Sequence, residues 1–299
     1  MSSSDGENGF DLVVVGCGIA GLTAARTVAR HGGRVVAIDR LAPGGQLINL
    51  GAVHEFPGLP DKTTGPDLAG RLLEEAMDAG VDIRYGEVTD VLVGDSAIVV
   101  KSEAETLSGR SVVGATGLGP GRFDIAGAES WAGRGVSECA SCDGPLYAGL
   151  KVAVVGDDDW AAYEALELAE ITSGVVLLAP STRPGWAPGL AQRLGEAVEV
   201  RTGVAVTALE GSDRLSGVRL DDGSELSVSG IFPLTGKLPR GEAFGDDLVR
   251  DDHGRLGESR DRGVFVAGDV RQGSVPYLVA AAADGLRAGF DVLHFIANR

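Results

Sequence analysis

Two short segments of this 299-residue chain carry residue types that can do chemistry. One is Cys139-Ala140-Ser141-Cys142-Asp143-Gly144. A Cys-x-x-Cys pair can close a small disulfide or take two places on a metal. A zinc site would need two further ligands. The remaining thiol, Cys17, and the histidines His31, His54, His253 and His294 do not cluster with the pair in sequence. A redox dithiol therefore fits better than zinc, and two reduced packing cysteines are the plain alternative. A working dithiol needs one sulfur ionised, so its pKa has to be lowered. Asp143, adjacent to Cys142, is placed to give or take the proton.

The other segment is Gly16-Cys17-Gly18-Ile19-Ala20-Gly21, a Gly-x-Gly-x-x-Gly turn. Alone the pattern is weak, but here its surroundings fit. Residues 10–15 read as a buried parallel strand, and Leu22 to His31 has helical spacing with Gly32-Gly33 as its stop. Arg34 to Asp39 reads as a second strand ending in an acid, 18 residues beyond Gly21 and close to the expected spacing of about 20. The glycines permit a tight turn and close approach of backbone N–H groups to a pyrophosphate. The helix N-terminus adds about half a positive charge there. Asp39 would accept hydrogen bonds from a ribose diol. Cys17, inside the turn, reads as a small packing residue.

The elements that must position these segments repeat. Lys151 to Val155 is an apolar strand followed by Gly156; Trp160 to Ile171 has helical periodicity with Gly174 as its stop; Val175 to Ala179 is the next strand. The chain thus holds two Rossmann-type halves, and an α/β fold is expected. A third strand-turn unit, Gly263 to Asp269, precedes a small-residue helix from Pro276 to Phe295. Residues 216–220 and 225–229 read as a hairpin through Asp221-Asp222-Gly223.

Composition narrows the class. Apolar residues make up 44% and charged residues 23%, a globular balance. Forty-three acids against 26 bases leave a net charge of -17, which disfavours nucleic acid and anionic membrane surfaces as partners. Most of that charge reads as solvated surface. Three cysteines exclude a disulfide-stapled secreted scaffold. Met1 to Gly9 lacks an apolar signal core, and no apolar run reaches membrane-spanning length. A soluble cytoplasmic protein is expected.

Six motifs in order resemble the low-molecular-weight, two-domain thioredoxin reductases, the class II FAD-dependent pyridine nucleotide-disulfide oxidoreductases. The resemblance spans nearly the whole chain. Gly16, Gly18, Ile19, Ala20 and Gly21 match the family's FAD pyrophosphate loop, with Asp39 and Arg40 after the second strand. Gly44-Gly45-Gln46-Leu47 matches its flavin segment, with Gly45, Gln46 and Leu47 at the cofactor, and Phe56-Pro57-Gly58 follows. Ala115, Thr116 and Gly117 match the crossover between domains. Cys139 to Gly144 resembles the redox centre, with Ser141 for threonine. Gly268-Asp269-Val270 resembles the late loop whose acid meets the flavin ribityl chain.

The resemblance implies two Rossmann-like domains of the FAD/NAD(P)-binding, three-layer ββα type. The FAD domain would be discontinuous, 1–117 plus 245–299, and the NAD(P)-binding-like domain, 118–244, would carry the cysteines. It also implies a homodimer with FAD, Cys142 as the cysteine nearer the flavin, and electrons passing between FAD, the Cys139/Cys142 pair and a dithiol or disulfide substrate. That substrate would be a thioredoxin-like protein or a small-molecule dithiol.

The second nucleotide site departs from the pattern. The family's Gly-x-Gly-x-x-Ala reads Gly156-Asp157-Asp158-Asp159-Trp160-Ala161 here. Asp158 puts a side chain where backbone should meet the pyrophosphate. Each carboxylate at ~5 Å from a phosphate, with an effective dielectric near 20, repels it by roughly 3 kcal/mol. The family's His-Arg-Arg cluster for the NADPH 2′-phosphate is replaced by Ala179-Pro180-Ser181, with Arg183 the nearest cation in sequence. NAD(P)H binding is expected to be weak or lost. Near the flavin, Glu55 stands where an Asn is usual. Pro276-Tyr277-Leu278 replaces Arg-Gln-Ala, so Tyr277 would cover a flavin face or pack in the dimer interface.

The expected function is an FAD-dependent dithiol/disulfide exchange without NAD(P)H, with a dithiol oxidase that uses oxygen favoured. A thioredoxin reductase, using NADPH through a variant loop or using ferredoxin, is the alternative. The acidic surface disfavours an acidic ferredoxin. A non-enzymatic flavoprotein is disfavoured because Cys139, Cys142 and Asp143 are all kept.

Overall fold

The computed structural model describes residues 9–51, 53, 56–137 and 140–299, and for residues 120, 141 and 142 the backbone alone. The chain divides into two compact units, Met1–Gly119 with Pro239–Arg299, and Pro120–Leu238. The return to the first unit thus comes before residue 245. Phe244 explains why: it is fully buried in that unit's core, against Gly114, where even a methyl group would strike its ring.

The first unit opens with β1 (Gly9–Val15), α1 (Ile19–Arg30), β2 (Val35–Asp39), α2 (Gly65–Asp78) and β3 (Asp82–Tyr85). A meander follows: β4 (Val88–Val93), β5 (Ile98–Ser102) and β6 (Thr106–Gly114). The chain crosses at β7 (Leu118–Pro120). It then runs through α3 (Ala140–Asp143), β8 (Lys151–Val155), α4 (Asp159–Ile171), β9 (Gly174–Ala179), α5 (Pro188–Ala197) and β10 (Glu199–Thr202). The strands β11 (Val206–Gly211), β12 (Leu215–Leu220), β13 (Glu225–Leu226) and β14 (Gly230–Pro233) complete the second unit, and β15 (Lys237–Pro239) leads back. Last come β16 (Val264–Val266) and α6 (Leu278–Ala297).

In the first unit β1 lies between β2 and β6 and runs parallel to both; β16 is parallel to β6, while β4 and β5 are antiparallel. The β-branched run of β1 is buried on both faces. Leu12 and Val14 pack with α1, α2 and α6, and Val13 and Val15 pack with the meander and Phe244. Such two-sided burial is what a central parallel strand demands. The second unit repeats the scheme. Val152 and Val154 of β8 face α4 and α5, and Ala153 and Val155 face the β11–β12–β13 sheet. Each unit is therefore an α/β layer arrangement of Rossmann type.

Helices α1 and α6 pack closely because the contact is made of small residues. A Cβ on Gly285 would lie 2.2 Å from the Ala20 carbonyl oxygen. The helix expected over Leu22 to His31 runs from Ile19 to Arg30, that expected over Pro276 to Phe295 runs from Leu278 to Ala297, and Gly174, expected as a helix stop, opens β9. Two further differences have a local cause. The helix expected from Trp160 starts at Asp159, because Asp158 caps it. The strand expected over 225–229 ends at Leu226, because the Ser229 N–H turns to the Lys151 carbonyl instead of the hairpin. Among the described residues, no helix is long and apolar enough to cross a membrane.

Candidate functional site

In the first unit several of the residues singled out from sequence follow the carboxyl ends of the parallel strands. The register pairs Val15 with Ile38 and with Gly114, and Gly114 with Val266. The carboxyl ends of β2, β1, β6 and β16 are thus level. Asp39, Gly16, Ala115–Gly117 and Gly268–Asp269 stand directly beyond them. A crevice outside the carboxyl ends of parallel strands is where Rossmann sheets take dinucleotides.

Gly16 has φ +100 and donates its N–H to the Ile38 carbonyl at 2.8 Å. A Cβ there would lie 2.4 Å from the Ala115 oxygen. Gly18 is the N-cap of α1 and supplies no side chain to its first N–H groups. The first turn, Ile19-Ala20-Gly21, carries no acid. Gly45 lies across from Gly18, and a Cβ on either would point at the other's Cα, at 3.9 Å and 3.1 Å. The result is a backbone-walled groove at a helix N-terminus with its donors open, which fits a pyrophosphate. These residues fit the FAD that the sequence implies.

Asp39 is already employed. Its carboxylate accepts the Cys17 N–H at 2.7 Å and the Leu41 N–H at 3.1 Å, so it holds the glycine turn against the end of β2. Arg40 beside it is exposed. Cys17 is fully buried; burial first, and the Asp39 charge second, push its thiol far above the ordinary range, so it packs and does not react. Gln46 donates to the Leu118 carbonyl at 3.2 Å, and Leu47 is buried. Thr116 donates to the Arg240 carbonyl. Gly268 has φ +73. Tyr277 is 62% exposed, and Leu278 beside it is partly buried. Glu55 lies outside the described residues.

Sequence reasoning missed the side chains that hold the late loop. Asp284 on α6 accepts a two-pronged contact from Arg271, at 2.9 and 2.8 Å, and a hydrogen bond from Ser274 at 2.8 Å. Arg287 ties α6 to the Val266 carbonyl and to Glu258. Burial raises the Glu258 pKa, but the Val266 N–H, Arg287 and Arg260 outweigh it and hold the carboxyl below its usual range. The spacing of Asp284, Arg287 and Asp291 on one helix face was the available signal.

In the second unit α3 carries the backbone of Cys142 and Asp143; Cys139 and the Cys142 side chain lie outside what is described. Asp143 is partly exposed, and its charge reaches Tyr147. Tyr147 has its hydroxyl pKa raised by burial and then by Asp143. The start of α4 is unlike the start of α1. Asp158 is its N-cap, and its carboxylate accepts the Ala161 N–H at 2.9 Å. Asp159 accepts the Ala187 N–H at 3.0 Å and so ties the loop after β9 to this helix. The cap signal, an acid just ahead of an apolar helix, was present in the sequence.

The chain matches, over residues 10–285, the family model described as pyridine nucleotide-disulphide oxidoreductase. It is 31% identical over 300 residues to a thioredoxin reductase of Listeria monocytogenes, covering 96% of this chain and 94% of that one. It is likewise 31% identical over 301 residues to a thioredoxin reductase of Bacillus subtilis, at 96% and 95% coverage. Among solved structures, the thioredoxin reductase of Lactococcus lactis superposes with a TM-score of 0.88 at 28% identity, covering 97% of this chain and 100% of the other.

Proposed function

The chain belongs to the pyridine nucleotide-disulphide oxidoreductase family, and we propose that within it this protein oxidises dithiols without drawing on NAD(P)H. It is an FAD-dependent disulfide oxidoreductase of the thioredoxin reductase type. One contrast carries the finer reading: the N-terminus of α1 is open, and that of α4 is closed by its own acid, Asp158. A pyrophosphate at α4 would have to displace that carboxylate. The cap bond is worth about 1 kcal/mol. The repulsion, roughly 3 kcal/mol per close pair, is the larger obstacle. At α1 the N-cap is a glycine and the first turn carries no acid.

Gly16, Gly18, Ile19, Ala20 and Gly21 would hold the FAD pyrophosphate, and Asp39, Gly45–Leu47, Ala115–Gly117 and Gly268–Asp269 would frame the rest. Bound there, FAD supplies a two-electron carrier between the dithiol and an outside acceptor, oxygen in this reading. The chain's own chemistry is exchange. A substrate thiolate attacks the Cys139–Cys142 disulfide, and one enzyme sulfur leaves as thiolate. The second substrate thiol then displaces the other, so the substrate departs as a disulfide and the enzyme keeps two thiols. Asp143 takes and returns the proton.

The deciding experiment mixes the purified yellow protein anaerobically with NADPH, NADH and dithiothreitol in turn. The dithiol bleaches the flavin band, admission of air restores it, and the nicotinamides leave it unchanged. Rapid bleaching by NADPH would establish the second reading, a thioredoxin reductase acting on thioredoxin, which the relatives' names favour.

This reading places the protein in the cytoplasm as a homodimer; the dimer is supported by Val279, Leu286 and Phe290, all exposed on α6. Tyr277 is the N-cap of that helix. If it covers the flavin, Tyr277→Gln shifts the visible spectrum and speeds the oxygen reaction severalfold while the sedimenting mass stays that of a dimer. An unchanged spectrum and rate would remove the covering role, and a fall to monomer mass would place Tyr277 in the interface.

A further inference from the structure

Glu164 belongs to no motif in the sequence, yet it touches the turn that carries the cysteines. It lies one helical turn beyond Trp160 on α4 and is partly buried. The Trp160 indole N–H donates to its carboxylate at 3.2 Å. The backbone N–H of Ala140 hydrogen-bonds to the same carboxyl. Ala140 is the residue that follows Cys139 in the chain. It is buried among Ala161, Ala165 and Leu168 of α4. A Cβ on Gly144, at the far end of the turn, would meet Leu168 and Ile171. The four-residue helix α3 thus lies along α4, and its leading amide ends on Glu164.

Other charges bear on this carboxyl. Lys237 places its ammonium 4.3 Å from the centre of the Trp160 ring. Glu167, on the same helix, is the like charge that acts on it. Burial, then Glu167, raise the Glu164 pKa; Trp160, Lys237 and the Ala140 amide oppose them. On the turn itself the ionisable groups are the two cysteines and Asp143, with Tyr147 just after it.

We propose that Glu164 is a positioning residue that anchors the Cys-x-x-Cys turn through the Ala140 amide and sets the redox balance of the Cys139–Cys142 pair. The proposal rests on the reading above that this pair is the exchanging dithiol. Free amides at a helix start favour a nearby thiolate. A carboxylate that consumes one of those amides and adds a negative charge does the opposite. A less stable thiolate means a less stable reduced form, so the ionised Glu164 keeps the pair more reducing.

The test uses the FAD-loaded protein equilibrated at pH 8 in glutathione buffers of graded ratio, followed by thiol labelling at Cys139 and Cys142. In these buffers two glutathione thiols become one glutathione disulfide as the enzyme disulfide becomes two thiols. Glu164→Gln keeps an acceptor for both N–H groups and removes the charge. Its dithiol/disulfide equilibrium should move about tenfold toward the dithiol, which for a two-electron couple is about 30 mV less negative. Glu164→Asp keeps the charge and should stay within about threefold of the unaltered protein, on the order of 15 mV. Equal equilibria in the unaltered and Gln forms would overturn the proposal, as would an Asp variant that shifts as far as Gln. If labelling of the unaltered protein does not respond to the buffers at all, the dithiol reading fails first and takes this proposal with it.

Discussion

A Cys142→Ser variant keeps its yellow colour and loses, on the order of a thousandfold or more, the rate at which a dithiol bleaches it. Two physical facts combine. A serine hydroxyl does not ionise near neutral pH, so position 142 no longer supplies a nucleophile or a leaving group. No sulfur–sulfur bond to Cys139 can form either, so a substrate thiolate has no enzyme disulfide to attack and no mixed disulfide arises. The colour survives because the residues assigned to FAD all lie in the first unit, Met1–Gly119 with Pro239–Arg299, whereas Cys142 is in the second. Stopped-flow absorbance under nitrogen reads both quantities in one trace. A Ser variant that bleaches at the original rate ends the exchange mechanism. The remaining thiol of the first unit cannot substitute, since Cys17 is buried with a raised pKa.

The contrast between the two helix starts shows what a sequence discloses and what it withholds. Gly16 to Gly21 is legible because its conformation is imposed locally, by a turn only glycines can make. The strand before it and the acid after it repeat a spacing fixed by the geometry of the β-α-β unit. The Asp157-Asp158-Asp159 run is legible as an obstacle, but reading it only as charge aimed at a phosphate overlooks a local preference. An acid ahead of an apolar helix caps that helix. In the structure Asp158 does so, and Asp159 is drawn onto the Ala187 amide, 28 residues away. That second contact depends on how the loop after β9 returns, which no local pattern encodes. The same holds for Asp284 with Arg271 and Ser274, and for Glu164 with Ala140. Each is a polar pairing made by packing between separate elements, beyond the reach of a helix or turn pattern. Apolar periodicity, the strongest signal in a sequence, says which face is buried and not which polar group will meet it.

The glycines supply the second large effect, at a position where space rather than backbone freedom decides. Gly21→Ala should cost roughly 3 kcal/mol or more and release the flavin. A Cβ at Gly21 would lie 1.8 Å from the Gly16 carbonyl oxygen, 3.0 Å from its carbon and 3.2 Å from a methyl of Val14. None of these can step aside. Gly16 is held by its N–H bond to the Ile38 carbonyl, and Val14 is fully buried in the central strand. The methyl group can be admitted only by moving α1 off β1. That would open the groove between Gly18 and Gly45 and turn the helix amides away from the pyrophosphate. The expected result is a colourless protein whose melting midpoint falls on the order of 10 °C. Gly32→Ala supplies the comparison. Gly32 has φ +85 but open space around its Cβ position, so only the left-handed backbone opposes the change. About 1–2 kcal/mol of destabilisation with full flavin content is expected there. Visible absorbance per chain and thermal melting separate the two variants. A yellow Gly21→Ala protein with an unchanged midpoint would show that the turn does not hold the cofactor as assigned.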